Sequence, residues 1–404
     1  MLAKTLKDIL VRIPRACFYS LINGFPSRKL QLIGITGTDG KTTTTNLICK
    51  ILQNANLSTD SINTINSHGA HMTCPHSKFL QEEFKKMVKN GTKYAVCEIT
   101  SHALDQYRFF GTHFHISAIT NISHEHLDYH KNLDNYIQAK SKICDISDIV
   151  VLNKDDLSYQ KILPCLKSKN KKVITISIKN KSQYQAKNIK IDKTQMSFTV
   201  NKIKFVTDSN YYHQIYNILV AFAICRQLKV DQKIFLQTIK KFPEIPGRVE
   251  KFPNKLGIEM FIDFAHTPNA LDSILSSLKK KTKNKLIVIF GATGGRDKSK
   301  RPLMGETVSR YADIAIVTAD DTREEKIEDI NQDIISGFKK RKNFTYHNIF
   351  NRQDAFNLAL KLAQKDDTII ACGKGHEKTI LHGKTEYPWS EADAFRTAIN
   401  NLKK

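Results

Sequence analysis

The run Leu32-Ile33-Gly34-Ile35, followed by Thr36-Gly37-Thr38-Asp39-Gly40-Lys41-Thr42-Thr43, decides how the rest of the chain is read. A short apolar strand enters a glycine turn, and a helix is expected from Lys41 onward. Glycines let successive backbone N–H groups converge on phosphate oxygens, and a helix N-terminus favours an anion. Lys41 reaches the terminal phosphates and Thr42 offers a hydroxyl to magnesium. The two glycines are separated by two residues, where the general phosphate-loop pattern has four, so this is a shortened cradle. Gly37, Thr38, Asp39, Gly40, Lys41, Thr42 and Thr43 are therefore the expected ATP contacts.

Outward from this loop, β-rich apolar runs near 94–99, 115–120 and 148–152 alternate with helix-period segments, which argues for a largely parallel sheet flanked by helices. A polar stretch around 166–210, with short strands at Ser197–Val200 and Lys204–Val206, reads as a hairpin excursion. Pro243, Pro246 and Gly247 punctuate the chain before a second α/β series at Met260–Phe264, Leu286–Phe290, Ile314–Val317 and Thr368–Ala371. The expected fold is α/β, with a central phosphate-loop ATPase domain over 31–245 and a Rossmann-like domain over 246–404. Ahead of them, Leu2, Leu6, Ile9, Leu10 and Ile13 recur at helical spacing between Lys4, Lys7 and Arg12, giving a short amphipathic segment over 1–30. Such a helix suits peripheral contact with a membrane surface, although docking on the protein's own core is the commoner use.

At 404 residues the chain is long enough for two or three domains, and 41% hydrophobic with 25% charged residues is ordinary for a globular protein. No apolar run nears the roughly 20 residues needed to cross a bilayer and no secretory signal is recognisable, so a cytoplasmic location is expected. Eight cysteines without paired spacing indicate neither a disulfide framework nor a zinc site. The formal charge of +24 invites a nucleic-acid reading, but the lysines are spread along the whole chain as on solvated faces. No nucleic-acid partner is expected; the positive field would instead attract anionic small molecules.

Further motifs follow the loop in order. They are Glu98-Ile99-Thr100-Ser101-His102-Ala103-Leu104-Asp105-Gln106, Thr120-Asn121-Ile122-Ser123-His124-Glu125-His126-Leu127-Asp128-Tyr129-His130 and Pro246-Gly247-Arg248. Asp263-Phe264-Ala265-His266-Thr267-Pro268, Gly294-Gly295-Arg296-Asp297-Lys298 and Gly373-Lys374-Gly375-His376-Glu377 complete the series. Together they resemble the Mur ligases, ATP-dependent amide-bond ligases of peptidoglycan synthesis, and among them the MurE branch that adds a diamino acid. The resemblance spans about residues 31–393.

That resemblance implies small-molecule substrates (ATP, a muramoyl-peptide acceptor and a diamino acid), an acyl phosphate intermediate, a monomer, and two magnesium sites. By it, Thr42 and Glu98 are ligands of the metal on the ATP phosphates, and His126 helps hold a second metal. Lys41, Glu98, His126 and Lys140 are the expected catalytic set. Lys140 sits where the family carries a lysine carbamate, an anion able to support the second magnesium, with Lys142 as the alternative register. Asn153, Arg248, Asp263 and His266 match nucleotide contacts, while a plain strand-end turn is the competing reading of Asn153. Hinge closure would then shield the acyl phosphate from water.

Thr73, Ser101 and His102 match positions near the acceptor, with Cys74 where the family has a second Thr. For the incoming amino acid, Asp320-Asp321-Thr322-Arg323 stands where MurE enzymes carry Asp-Asn-Pro-Arg. Arg323 retains a guanidinium suited to a planar carboxylate, which favours meso-diaminopimelate over lysine. Arg296, Gly373 and Glu377 match further contacts to that substrate. Asp321 adds a negative charge and Thr322 removes a stiff proline. Only about thirty residues precede the phosphate loop, whereas this branch carries a uridine-gripping domain of roughly a hundred residues there. Uridine recognition is then lost, relocated or supplied by a partner, or the acceptor differs. The alternative is a sister ligase of the same fold, of the folylpolyglutamate or cyanophycin type.

Overall fold

The computed structural model describes residues 6–66 and 74–402. Thr73 lies outside the described residues. Two compact units form, one from Met1–Ser123 with Asn132–Pro243, the other from His124–Lys131 with Glu244–Lys404. The break after Pro243 falls beside the Pro and Gly punctuation. The inclusion of 124–131 in the second unit is not signalled by composition.

The first unit is built on strands β1 (Gln31–Thr36), β2 (Thr59–Ile62), β3 (Tyr94–Glu98), β4 (Phe114–Ile119), β5 (Ser147–Asn153), β6 (Lys172–Ser177) and β7 (Tyr184–Gln185). They lie in the order β2-β3-β1-β4-β5-β6-β7, all parallel. Every residue of β3 and all but the first of β1 are buried, as expected for strands covered on both faces. On one face, Leu47, Ile48 and Ile51 of the helix Lys41–Asn54 share a core with Ile218, Leu219 and Phe222 of the helix Gln214–Gln227. Each fully buried side chain of this kind stabilises by about 1.5–3 kcal/mol. On the other face, the helix Leu133–Asp145 lays Ile143 against Gly34, where an added Cβ would stand 3.0 Å from the Ile143 methyl.

Residues 166–210 differ from the hairpin excursion expected. Lys172–Ser177 and Tyr184–Gln185 extend the parallel sheet toward its edge, and only β8 (Lys187–Ile191), β9 (Met196–Val200) and β10 (Ile203–Thr207) form the antiparallel excursion. β6 lies next to the sheet's edge, with only the two-residue β7 beyond it, and it leaves Lys172 exposed and Val173 and Thr175 half-buried rather than burying every residue.

The N-terminal segment also departs from expectation. A π-turn at Asp8–Arg12 leads into the helix Ile13–Ile22, which packs on the helix Ser77–Lys89. Its inward residues are Asp8, Ala16 and Ser20, whereas Ile9, Leu10, Phe18, Leu21 and Ile22 are exposed. Of the apolar residues at helical spacing, Leu6, Ile9 and Leu10 therefore stay out of the core, Ile13 is half-buried, and Leu2, like Lys4, lies outside the described residues.

The second unit has a six-stranded sheet of β11 (Glu250–Phe252), β12 (Glu259–Asp263), β13 (Leu286–Phe290), β14 (Ile314–Val317), β15 (Thr345–Asn348) and β16 (Thr368–Cys372), ordered β11-β12-β16-β13-β14-β15. Only β11 runs antiparallel. A hairpin of β17 (Thr379–His382) and β18 (Thr385–Pro388) follows β16. In both units the motif residues cluster after the C-terminal ends of parallel strands, where open α/β sheets place their ligands. No helix among the described residues is long and apolar enough to cross a membrane.

Candidate active site

In the first unit, β1 delivers the chain into the Gly37–Lys41 turn and Gly40, at φ 81°, starts the helix Lys41–Asn54. The segment after β4 fixes this turn. Thr38 N–H donates to the Asn121 carbonyl (2.8 Å), Asp39 N–H to Asn121 Oδ1 (3.0 Å), and Thr120 Oγ1 donates to the Asp39 carbonyl (2.7 Å). Gly37 passes so close to Thr120 that a Cβ would stand 1.9 Å from its hydroxyl. Asn217 adds a brace from the helix Gln214–Gln227, its Oδ1 accepting from Thr44 Oγ1 at 3.2 Å. Lys41 Nζ donates to the Thr38 carbonyl (2.8 Å), folded over the turn its neighbours form.

Register then brings two expected metal ligands together. Ile35 pairs with Glu98 across β1 and β3, so the carboxylate emerges beside the first turn of the loop's helix. Thr42 Oγ1 donates to both Glu98 oxygens, at 3.1 and 3.0 Å, and Thr64 N–H reaches Oε2 at 3.2 Å. Among the described residues no three His, Cys, Asp or Glu side chains converge to hold a metal. A hydroxyl and a carboxylate are nevertheless hard oxygen donors, and magnesium usually takes one or two such groups plus phosphate oxygens and water. The donor set fits that ion.

Lys140 is presented by the helix Leu133–Asp145, whose start Asn132 caps by accepting from Asn135 N–H (2.9 Å). It is 1% exposed, with Nζ donating to the Gly37 carbonyl at 2.7 Å and lying 4.7 Å from the Tyr136 ring centre. Lys142, the alternative register, pairs instead with Asp105 (3.3 Å) and covers the Tyr107 ring. Ser101 and His102 open the short helix Ser101–Asp105, capped by Thr100 Oγ1 accepting from Ala103 N–H (3.2 Å). Asn153, at the end of β5, donates to the Thr120 carbonyl (3.2 Å) and accepts from Asp155 N–H (3.0 Å), which closes a turn at the strand end. Its neighbour Asp155 gathers Ser177, Ile178, Lys179, Asn180 and Tyr216 around one carboxylate. Burial pushes that carboxyl up, but these hydrogen bonds outweigh it and bring it down to about 2.

His126 belongs to the other unit. It sits at φ 57° ahead of the short helix Leu127–His130, with Nδ1 3.8 Å from Glu125 Oε1. Glu125 receives the buried Lys300 ammonium at 3.0 and 3.1 Å, Lys300 also donates to the His266 carbonyl, and His124 Nε2 meets Asp297 at 3.2 Å. These bonds explain why 124–131 folds with the second unit. Asp263, ending β12, accepts from Val249 N–H (2.7 Å) and Ala265 N–H (2.8 Å). Arg248 lies over the Phe264 ring at 4.4 Å, and His266 Nδ1 contacts the Phe264 carbonyl at 2.8 Å. Thr267 caps the next helix, Pro268–Lys281, with Pro268 in its first turn.

The loops after β13, β14 and β16 form a charged cluster. Asp321 Oδ1 accepts from Lys374 Nζ (2.8 Å) and from Leu381 N–H (2.9 Å), and Lys374 Nζ lies 2.5 Å from Glu377 Oε2. Arg323, at φ 53°, donates its N–H to the Leu381 carbonyl and accepts from Gly383 N–H at 2.7 Å. Its Nε is buried without a hydrogen-bond partner among the described residues. Burial and the neighbouring Arg323 guanidinium lower the Arg296 pKa, against partial relief from Asp128, Glu125 and Asp321. Burial raises Glu377, with Lys374 pulling the other way. Asp320 is held below the usual carboxylate range because Lys374 and Arg352 outweigh its burial. Gly373 passes beside it, an added Cβ meeting Asp320 Oδ2 at 2.7 Å. The cluster can hold a ligand carrying both carboxylate and ammonium groups.

Several residues that shape these sites were not singled out from the sequence. Thr120 and Asn121 lie inside a motif whose residue types do not reveal that they brace the glycine turn. Asn217 and the hairpin at Leu381 carried no local signal, because their partners are distant in the chain.

Residues 35–225 match the Mur ligase middle domain and residues 247–375 the Mur ligase glutamate ligase domain. A UDP-N-acetylmuramoyl-L-alanyl-D-glutamate--2,6-diaminopimelate ligase of Clostridioides difficile (strain 630) is 33% identical over 93% of this chain and 80% of its own length. One so named from Caldanaerobacter subterraneus subsp. tengcongensis is 35% identical over 98% of this chain and 84% of its own. A solved structure of a ligase of that name aligns with TM-score 0.63 at 26% identity, covering 93% of this chain and 79% of the other. Folylpolyglutamate synthase of Mycobacterium tuberculosis, complexed with ADP and AMPPCP, shares the fold at TM-score 0.71 and 15% identity, over 89% of this chain and 92% of its own. A glycine turn with Thr42 set on Glu98, a second α/β unit with a charged cluster after its parallel strands, and these matches together establish that the chain belongs to the Mur ligase family of ATP-dependent ligases.

Proposed function

We propose that this ligase joins meso-diaminopimelate to the free carboxylate of a muramoyl-dipeptide acceptor, in peptidoglycan precursor synthesis. The observation that carries the choice of amino acid is the half-buried Arg323, whose Nε atom is sealed from solvent without a partner among the described residues, beside Arg296. Two neighbouring guanidiniums repel until an anion lies between them, and a distal carboxylate supplies a planar one. Lysine has no such group. A folylpolyglutamate-type reading shares the fold but gives Arg323 no comparable duty.

The reaction divides into two transfers. The acceptor carboxylate takes the γ-phosphoryl group of ATP, releasing ADP and leaving an acyl phosphate. The amine nitrogen of the amino acid then attacks the carbonyl carbon, the bond to the phosphate oxygen breaks, and inorganic phosphate and a proton leave. Magnesium, when bound there, would supply positive charge to offset that of the phosphates. Thr42 and Glu98 would hold it, the N–H groups of the Gly37–Thr43 turn would orient the triphosphate, and Lys41 would swing from the Thr38 carbonyl onto the terminal phosphates. Ser101 and His102 face the acceptor, Arg248, Asp263 and His266 serve the nucleotide, and Gly373, Glu377 and Asp320 receive the ammonium end of the amino acid.

Lys140 is assigned to a carbamate that would help hold a second magnesium, and His126 is separately assigned to metal binding. The burial of Lys140 beside Gly37 supports the carbamate. A carbamate nitrogen keeps one N–H, so the bond to the Gly37 carbonyl survives the modification. The test is ATP-dependent phosphate release with acceptor and amino acid varied independently. Release that needs both the muramoyl dipeptide and diaminopimelate is expected; equal rates with lysine, or release indifferent to the acceptor, would overturn the assignment.

A further inference from the structure

We infer that Asp321 and Lys374 form a positioning strut that fixes Arg323 relative to Glu377, so that the amino-acid site reads the separation of carboxylate and ammonium groups in its substrate. This rests on the amino-acid site proposed above. Asp321 stands where the related loop has an asparagine, and an unpaired carboxylate there would repel the very carboxylate Arg323 is to receive.

The structure removes that conflict. Lys374 is fully buried and its ammonium bridges Asp321 (2.8 Å) and Glu377 (2.5 Å). The negative charge at 321 is therefore answered inside the protein. Asp321 also ties three segments at once. Its side chain takes Leu381 N–H from the hairpin, its carbonyl accepts Gly294 N–H (2.7 Å) from the loop carrying Arg296, and its Lys374 contact reaches the Gly373–Glu377 loop. Arg323, two residues on, is clamped to the same hairpin through Leu381 and Gly383. Gly294 lies so near that an added Cβ would meet the Thr322 carbonyl at 1.9 Å, leaving the Arg296 and Arg323 loops little freedom to slide.

The strut touches substrate only through the groups it aims. Asparagine at 321 keeps an oxygen for Leu381 N–H but surrenders the charge that answers Lys374. Alanine surrenders both. A misplacement of about 1 Å at a reacting or binding group can cost about a hundredfold, so changes at these residues are expected in recognition of the amino acid rather than of ATP.

The experiment compares wild type, Asp321→Asn, Asp321→Ala and Lys374→Met for KM of the amino acid, KM of ATP and kcat. Rates are normalised to the fraction of nucleotide-competent protein. Asp321→Ala and Lys374→Met are expected to raise KM for diaminopimelate about 10- to 100-fold, to narrow its preference over lysine, and to leave KM for ATP within about twofold. Asp321→Asn should recover much of the lost affinity. The double variant Asp321→Ala/Lys374→Met should cost less than the product of the two single effects. Equal changes in both KM values, or multiplicative single effects, would overturn the strut. If wild type prefers another amino acid and the variants still raise only that compound's KM, the strut stands and the diaminopimelate assignment falls.

Discussion

Replacing Gly37 by alanine tests the reading of the loop at its tightest point. The new Cβ would lie 1.9 Å from Thr120 Oγ1 and 3.0 Å from the Asn121 carbonyl, at a backbone φ of 149°. A side chain in that region of backbone space costs about 1–3 kcal/mol. To clear the overlap, Thr120 must turn away and give up its bonds to the Asp39 and Thr36 carbonyls, at roughly 1 kcal/mol each. The total, roughly 3–5 kcal/mol, is relieved if the turn abandons the shape that converges its N–H groups. The strain then comes out of nucleotide binding, where about 1.4 kcal/mol is tenfold. Calorimetric titration with magnesium and ADP should therefore show binding weakened by about two to three orders of magnitude, with the unfolding midpoint lowered only modestly because β1 and its core are untouched. Thr120→Ala introduced together with Gly37→Ala removes the hydroxyl from the collision and should restore part of the loss, a non-additive result. A Gly37→Ala protein that binds ADP within threefold of wild type would refute the reasoning.

Three further outcomes are expected. Lys140→Ala should abolish turnover, with partial rescue by added short carboxylates, and wild type depleted of carbon dioxide should regain rate with bicarbonate; activity near normal in the variant would reject the carbamate. Arg323→Ala should raise KM for diaminopimelate far more than KM for ATP, as read by initial rates, and equal effects would count against the carboxylate fork. Burial lowers Lys281 to about 8, partly offset by Glu259, whereas the unfolded chain titrates near the usual lysine value. The unfolded state then binds more protons between about pH 8 and 10.5, and this residue's penalty on stability, full below pH 8, fades as pH rises through that window. Lys281→Met should accordingly raise the thermal midpoint at pH 7 and raise it less at pH 10; the same gain at both would show that the ammonium is not the cause.

Much of the architecture was legible because its signals are local. The apolar run before Thr36, the glycine turn and the helix after it specify strand, loop and helix without reference to anything distant, and the same holds for β13 and β16. The place of Glu98 beside Thr42 was legible because it ends a buried strand, and that of Lys140 beside the glycine turn only through the family resemblance. The penultimate strand Lys172–Ser177 was not, since its partly exposed first half looks like a strand of a free hairpin. The N-terminal helix misled for a related reason. Helical spacing marks an apolar face but not which way it points, and here Ala16 and Ser20 face inward. Lys374 as the partner of Asp321 also stayed hidden, because the two are 53 positions apart and sequence spacing carries no information about such a pairing.

The path of the chain through His124–Lys131 bears on any attempt to dissect this ligase. The backbone passes between the units after Ser123, after Lys131 and again after Pro243, so neither half is a continuous piece of gene. A fragment beginning at Glu244 would keep Lys300 while lacking Glu125, stranding an ammonium that the intact fold seals from water. Exchange of C-terminal halves between ligases of different amino-acid preference would meet the same obstacle at its junction. Chimeras that carry the eight-residue insert along with the later half are the ones expected to remain folded.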